Sequence, residues 1–167
     1  MKNHIILISV FFMIIGRVCA QDPVRPDRLQ QDVQLVKQVL ESYKTSINQA
    51  DTVLAATFWQ TTDQSSFVHP RGHEIGWEAI KSGIYQMFAE RFSVRDLKSY
   101  NESVLIYGDL AVVTFYWIFD ASFRGGDQAS MQTKGRESMI LRKLDNDWKI
   151  VHIHYSSMPV TGERQGF

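Results

Sequence analysis

The chain has 167 residues, and its 18 basic and 18 acidic residues give a formal net charge of zero at pH 7. This balance, together with the absence of any basic run, excludes the electrostatic surface with which proteins bind nucleic acid. With 44% hydrophobic residues and one cysteine, the chain can form a hydrophobic core but no internal disulfide bridge.

Residues 1–20 have the pattern of a secretory signal peptide. Lys2 supplies the positive start, residues 5–15 form the apolar run, and Val18–Ala20 form a small-residue cleavage site. The apolar run is too short for a transmembrane span, which needs about 20 residues. We therefore expect an exported protein, periplasmic or secreted, that begins at Gln21 and has no membrane span after cleavage.

Three amphipathic helices are predicted after a leader over residues 21–27. The first begins at Arg28, because apolar residues then recur at spacings of three and four, as on one face of a helix. Asp51 is placed to cap a second helix, Thr52–Trp59, and a third is predicted over Trp77–Phe92. The apolar positions of the first helix are Val33, Val36, Val39, Leu40, Tyr43 and Ile47.

Strands dominate the rest of the sequence. The composition of Ser65–His69 is typical of a short strand that ends at Pro70. Residues 71–73 are predicted to form a turn. Helices segregated on one side of an antiparallel sheet make an α+β fold. We predict a cone-shaped, curved antiparallel sheet with three N-terminal helices packed over its concave face, spanning residues 28–160 and followed by a tail over 161–167. Four long strands are expected: Val94–Tyr107, Leu110–Phe123, Gln128–Leu144 and one that begins at Trp148.

The final strand is rich in β-branched and aromatic residues and stops at Pro159. This composition predicts a strand in the middle of the sheet that is covered on both faces. Strict alternation of side chains would divide it into two faces. One face carries Trp148, Ile150, His152, His154 and Ser156, and the other carries Lys149, Val151, Ile153, Tyr155 and Ser157.

The order of elements and two segments resemble the nuclear transport factor 2-like superfamily, specifically its SnoaL-like branch. The segments are the last strand, Trp148–Pro159, and residues 67–81, in which the short strand runs into the third helix. Both are also similar to the association domain of calcium/calmodulin-dependent kinase II. The resemblance covers essentially all of the mature chain and implies the cone fold. It does not fix a function, because the superfamily includes isomerases, dehydratases, cyclases, hydrolases and non-catalytic assembly modules.

The ketosteroid isomerases of this superfamily suggest candidate catalytic residues. Their oxyanion-donating Tyr lies eight residues before the Asp that starts the second helix, as Tyr43 lies before Asp51. Their general-base Asp precedes the Pro that ends the short strand, where this chain has His69. Their second oxyanion donor, a protonated Asp, aligns near Arg136. The resemblance implies Tyr43 as a hydrogen-bond donor and His69 as a base. At the third position, Arg136 replaces the protonated Asp, so the chemistry there would differ.

The residues themselves leave alternatives open for these three positions. His69 shares a strand face with Phe67, so it is expected to face the core or a cavity, where an imidazole can exchange a proton near neutral pH. Simple core packing is the alternative for His69 and Tyr43. Arg136 pointing inward would require an anion and favours a carboxylate-bearing ligand, whereas a solvated sheet edge is its alternative.

Several further side chains are candidates for ligand contact. The aromatic residues exceed what a core of this size needs, and Trp59 and Trp117 are the strongest of them. The two histidines of the last strand have a spacing that a metal site could use, yet no carboxylate or cysteine follows at a ligand spacing. We expect them to line the pocket or a subunit interface, with no metal bound. The full ligand-binding set is Trp59, Trp77, Trp117, Arg136, His152, His154 and Tyr155.

The sequence favours an exported domain that binds a small, partly apolar molecule, with a carboxylate-bearing molecule as one option. One alternative is a cofactor-free acid–base isomerase, dehydratase or hydrolase that uses His69 and Tyr43. Another is a non-catalytic assembly module. No phosphate-binding glycine loop, dinucleotide fingerprint or nucleophile elbow is present, so no cofactor is expected.

A homodimer formed through the sheet is also predicted. Residues 110–119 show essentially no polar alternation, and the three helices can cover only the concave side. The outer face would then expose more apolar surface than a monomer usually tolerates. A two-fold partner would bury that surface against itself.

Overall fold

The computed structural model describes residues 26–125 and 130–158. The predicted signal peptide, most of the predicted leader and the C-terminal tail lie outside these residues. The described part confirms the α+β prediction: the helices precede the four long strands of a curled, unclosed six-stranded sheet. None of the described helices has the length and apolar character needed to cross a membrane.

The first helix, α1 (Pro26–Gln49), packs one apolar stripe against the sheet. It starts two residues before the predicted position. Val36, Leu40, Tyr43 and Ile47 are buried, and their spacing of three and four residues keeps them on one helical face. This face brings the Tyr43 ring to the concave side of the sheet.

A buried polar contact fixes the start of α1 on the two last strands, β5 (Met131–Leu144) and β6 (Asp147–Ser157). Asp32 is only 6% exposed. Its Oδ1 accepts hydrogen bonds from Lys143 Nζ at 2.5 Å and from Trp148 Nε1 at 3.1 Å. A buried carboxylate needs such partners, so this contact sets where α1 crosses the sheet.

The second helix, α2 (Thr52–Phe58), is capped as predicted. The Asp51 side chain accepts hydrogen bonds from the backbone N–H groups of Val53 at 2.8 Å and Leu54 at 2.9 Å. The helix ends one residue earlier than expected, because Trp59 adopts an extended backbone and bridges to the sheet.

The predicted third helix is not a single regular α-helix. It consists of α3 (Trp77–Ile80), a π-helical stretch (Lys81–Gln86) and α4 (Met87–Arg91). The amphipathic pattern could not reveal the wider turn, since it changes the backbone without removing apolar residues. Such π-helical turns occur frequently at functional sites.

The sheet has the order β2-β1-β6-β5-β4-β3. The last strand, β6, lies between β1 and β5, which confirms the prediction of a central final strand. β1 pairs with β6 in parallel, and the other neighbours are antiparallel. The remaining strands are β1 (Ser66–His69), β2 (Gly72–Ile75), β3 (Phe92–Tyr107) and β4 (Leu110–Phe123).

Strand β2 corrects the prediction of a simple turn over residues 71–73. It forms a hairpin with β1 in which Val68 lies opposite His73 and Ser66 opposite Ile75. Four residues between a proline and a helix are too few to show a strand periodicity. Because β1 is thereby paired on both sides, its inward side chains are held in place.

A β-bulge in β6 overturns the predicted division of its side chains. Leu141 pairs with Ile150, but its neighbour Ile140 pairs with His152, so Val151 is an extra residue on β6. One extra residue moves all later side chains to the other face. Ile153 therefore joins Ile150 in the core.

Candidate functional site

A cavity of about 290 Å³ opens between the concave face of the sheet and the helices. Its walls are mostly aromatic and aliphatic side chains from α1, the π-helical stretch, α4 and all strands except β2. Only a few polar groups reach into it. An apolar cavity with a small number of placed polar groups is the usual form of a small-molecule site.

Glu137 of β5 is the principal polar group in this cavity. Its side chain alternates with the exposed Arg136 and Ser138, so it points to the concave side, and it is only 4% exposed. Burial raises its pKa to about 8, an effect that hydrogen bonding with the Tyr43 phenol opposes in part. At neutral pH the carboxyl group is therefore mainly protonated and can donate a hydrogen bond. Its Oε1 has no hydrogen-bond partner among the described residues.

Tyr43 of α1 lies beside Glu137 in the same cavity. It is 2% exposed, and burial, followed by the neighbouring charge of Glu137, raises the pKa of its phenol well above the usual value. The phenol thus keeps its proton and serves as a second O–H donor. A pair of neutral donors at one point suits a carbonyl oxygen or a developing oxyanion.

Trp117 adds a third donor from β4. It lies opposite Gly135 on β5, and a side chain at Gly135 would overlap the indole ring and the Ser156 carbonyl oxygen. The missing side chain lets the indole ring occupy the space next to the Gly135 backbone. Trp117 Nε1 is buried without a hydrogen-bond partner among the described residues. An unpaired buried N–H is costly, and a ligand acceptor in the cavity would satisfy it.

His69 stands at the other side of the cavity, next to a carboxylate. Its Nε2 lies 3.3 Å from Glu74 Oε1, a contact that fixes the imidazole orientation. Glu74 reaches this place because Gly83 in the π-helical stretch has no side chain; a Cβ there would lie 2.6 Å from the Glu74 carboxyl carbon. With Nε2–H donated to Glu74, Nδ1 is left as a proton acceptor.

The strand register sets the separation of the base and the acid. Glu137 pairs with Tyr155. The parallel pairing of β1 with β6 ends at Val68 opposite His154, so the next residue of each strand, His69 and Tyr155, lies at the same level. The His69 and Tyr155 rings stack at 6.1 Å, in agreement with this register. His69 and Glu137 are thus two strands apart, roughly 10 Å between backbones. Tyr155 lies between them on the intervening strand, and all three side chains line the cavity.

Four of the predicted site residues line this cavity, namely Tyr43, His69, Trp117 and Tyr155. Trp59 does not; it is 1% exposed in the core, and its Nε1 donates to the Tyr85 hydroxyl at 3.2 Å. The centroid of its ring lies 6.3 Å from that of Trp77. Trp77 packs on the same core instead of lining the cavity. Their indole rings serve the packing of α2 and α3.

Arg136, His152 and His154 lie on the convex face, away from the cavity. The alternation of β5 directs Arg136 outward, and the bulge at Val151 directs the two histidines outward. His152 Nδ1 is 2.7 Å from Ser66 Oγ, and burial, followed by the charges of His154 and His73, lowers its pKa. In the part of the chain that the structure describes, no group of three or more potential ligands could hold a metal.

Glu137 and Glu74 are the functional candidates that the sequence alone did not reveal. The alignment with ketosteroid isomerases missed Glu137 by one residue and gave Arg136 instead. A usable signal existed, because Glu137 shares its strand face with the apolar Met139 and Leu141. Glu74 gave no such signal, since its role depends on the unpredicted strand β2 and on the π-helical turn.

Comparison with known proteins agrees with this architecture. The SnoaL-like domain family matches residues 36–161. An NTF2-like superfamily protein from Salmonella enterica serovar Typhimurium has a similar structure, with a TM-score of 0.77 and 34% identity over 83% of this chain and 99% of its own. No curated protein matches the sequence. The chain belongs to the SnoaL-like family of the NTF2-like superfamily.

More distant structures share the fold. A candidate dehydratase from Streptomyces avermitilis has a TM-score of 0.70 and 16% identity, covering 78% of this chain and 99% of its own. A candidate scytalone dehydratase from Novosphingobium aromaticivorans has a TM-score of 0.71 and 14% identity, covering 81% and 89%. At these identities the likeness extends to the fold alone.

Proposed function

We propose that the protein is an acid–base enzyme that binds a small, largely apolar carbonyl compound in the cone cavity and moves a proton on it. One observation carries this proposal: the neutral acid Glu137 and the Glu74-supported His69 line the same apolar cavity. Titratable groups whose surroundings give them opposite roles mark an acid and a base. The two structurally similar proteins named as candidate dehydratases are consistent with this chemistry.

In the proposed reaction the substrate carbonyl oxygen accepts hydrogen bonds from Glu137 and Tyr43. His69 Nδ1 removes a proton from the carbon next to the carbonyl, and the electron pair of that C–H bond moves to give an enolate. The two O–H donors stabilise the negative charge on oxygen. If the substrate has a C=C bond between its β and γ carbons, the enolate is conjugated with that bond, and return of the proton from His69 to the γ carbon gives an isomerised product. If the substrate carries a β-hydroxyl group, transfer of the proton to that group instead releases water.

Solvent exchange tests this step directly. Aryl and alicyclic ketones are incubated with the protein in D₂O, and loss of the proton signal next to the carbonyl is followed by NMR. We expect the wild-type protein to accelerate exchange and His69→Ala to lose most of this acceleration. Ketones that bind without any accelerated exchange would contradict catalysis and leave a ligand-binding protein, the main alternative.

A homodimer through the convex face is part of the proposal. Leu105 pairs with Val112, which pairs with Ile140, so an apolar row crosses three strands on this face. Leu105 is 51% and Ile140 37% exposed. A second copy would cover the row. Light scattering of the mature chain should give twice the monomer mass, and Ile140→Lys should shift it toward the monomer; a wild-type monomer would contradict this part.

Export is proposed from the N-terminal sequence pattern alone, because residues 1–20 lie outside the described residues. Mass spectrometry of the protein purified from its native envelope should show a chain that begins at Gln21. A chain that retains Cys19 with an attached lipid would contradict a soluble exported protein.

A further inference from the structure

Positive charge predominates among the side chains that line the cavity. The ionisable side chains that line the cavity are Arg71, Arg91, His69, Glu137 and the two tyrosines. Glu137 is mainly protonated at neutral pH and the tyrosines keep their protons. The lasting full charges of the cavity are therefore the two guanidinium groups, although the whole chain has a net charge of zero.

Neither arginine is neutralised by a carboxylate of the described residues. No ion pair within 4.0 Å joins Arg71 or Arg91 to an acid in that part of the chain. The Arg91 guanidinium instead lies over the rings of Phe92 at 5.5 Å and Phe123 at 5.4 Å. These two rings hold the guanidinium group in place by cation–π contact, and its N–H donors remain available.

Both arginines lie toward the same end of the cavity. Arg71 lies in the tight turn between β1 and β2, just beyond the row of His69 and Glu137. Arg91 ends α4 beside Phe92, which pairs with Phe123 at the far end of β4. The donors Glu137 and Tyr43 are deeply buried, whereas the two arginines are exposed. This arrangement gives the cavity a neutral, donating inner end and a cationic mouth.

We infer that the ligand is an amphipathic anion: a carbonyl group at one end, an apolar middle section and a carboxylate or similar anionic group at the other end. The carbonyl oxygen meets Glu137 and Tyr43, and the anionic group meets Arg71, with Arg91 adding to the positive potential. This inference rests on the proposed function and names its substrate class. It also replaces Arg136, which faces away from the cavity, as the source of carboxylate recognition.

The affinity of matched acids and esters tests this inference. The probes are ω-benzoyl alkanoic acids of increasing chain length and their neutral methyl esters, with binding measured by isothermal titration calorimetry. We expect the acid of optimal length to bind up to about fivefold more tightly than its ester, as for a solvent-accessible arginine–carboxylate pair. Added salt should reduce the preference, because it screens exposed charges.

Variants of the two arginines test whether the cationic mouth of the cavity causes the preference for acids over esters. Arg71→Met should remove most of the difference between acid and ester, and Arg91→Met a smaller part, whereas the ester affinity stays nearly constant. Arg142→Met is the matched control, because Arg142 is exposed on the convex face and should leave the preference unchanged.

The outcomes separate this inference from the proposed function. Equal binding of acids and esters, or a preference that survives in both cavity variants, would contradict the amphipathic-anion inference alone. A preference for acids without proton exchange on the bound ketone would support the inference and contradict catalysis. If neither acids nor esters bind, both are contradicted.

Discussion

The two faces of the sheet use neighbouring residues for opposite purposes. On β5, Arg136 is exposed and charged on the convex face, while Glu137 is buried and mainly neutral at pH 7 on the concave face. On β6, His154 is exposed on the convex face and Tyr155 lines the cavity. The comparison shows that the sheet face on which a residue lies, more than its residue type, decides which ionisable group enters the site.

The largest effect expected from this difference is on catalysis. His69→Ala should reduce the rate of proton exchange by about 10²–10⁴-fold, the usual contribution of a positioned general base. His154→Ala, on the convex face, is the control and should leave the rate within about a factor of two. Exchange rates of the two variants decide the matter, and equal losses would show that the concave histidine has no special role.

Stability should depend on pH through Glu137. Its pKa is raised from 4.5 to about 8 by folding, so between these values the folded protein keeps a proton that the unfolded chain has lost. The contribution of Glu137 to stability should then be greatest at low pH and fall by up to about 1.4 kcal/mol per pH unit as pH rises toward 8. Urea unfolding at several pH values measures this slope. Glu137→Gln should flatten it and Arg136→Gln should not; a slope that persists in Glu137→Gln would assign it to other groups.

Gly135 offers a test of the cavity floor. Gly135→Ala places a methyl group where the Trp117 ring and a backbone carbonyl lie, and should lower the free energy of unfolding by about 3 kcal/mol. The neighbouring Lys134→Ala, on the convex face, should change it by less than about 0.5 kcal/mol. Denaturant titrations compare the two, and a stable Gly135→Ala would mean that the indole has room to move.

The smallest expected effect concerns Glu74 as a positioning residue. Glu74→Gln should lower kcat about tenfold with little change in KM, because the imidazole loses its charged partner while the cavity keeps its shape. The pH dependence of kcat should also shift, which a merely structural role would not produce. Glu74→Asp serves as the conservative comparison, and an unchanged kcat in Glu74→Gln would exclude the positioning role.

Much of the fold could be predicted because it depends on regular patterns. The apolar stripe of α1, the Asp51 cap and the four long strands leave periodic signals in the sequence, and the central position of β6 follows from its apolar composition. The positions of Tyr43 and His69 at the cavity could be predicted for the same reason, since both lie on predictable faces of regular elements.

The remaining parts of the site depend on irregular features. A single extra residue, Val151, reversed the faces of His152 and His154, and no composition rule marks that position. Glu137 was missed because an alignment error of one residue is enough to exchange a buried side chain for an exposed one. Glu74 enters the site through a short hairpin and a π-helical turn, two irregular features with weak sequence signals.

The donor role of Glu137 and the proposed chemistry both require a neutral carboxylic acid in the cavity at physiological pH. Carbon-13 NMR of the glutamate side-chain carboxyl groups, assigned by comparison with Glu137→Gln, measures its titration directly. We predict that the Glu137 signal titrates with a midpoint near pH 8. A midpoint near the ordinary value of about 4.3 would show a charged Glu137 at neutral pH and would contradict both the donor role and the proposed chemistry.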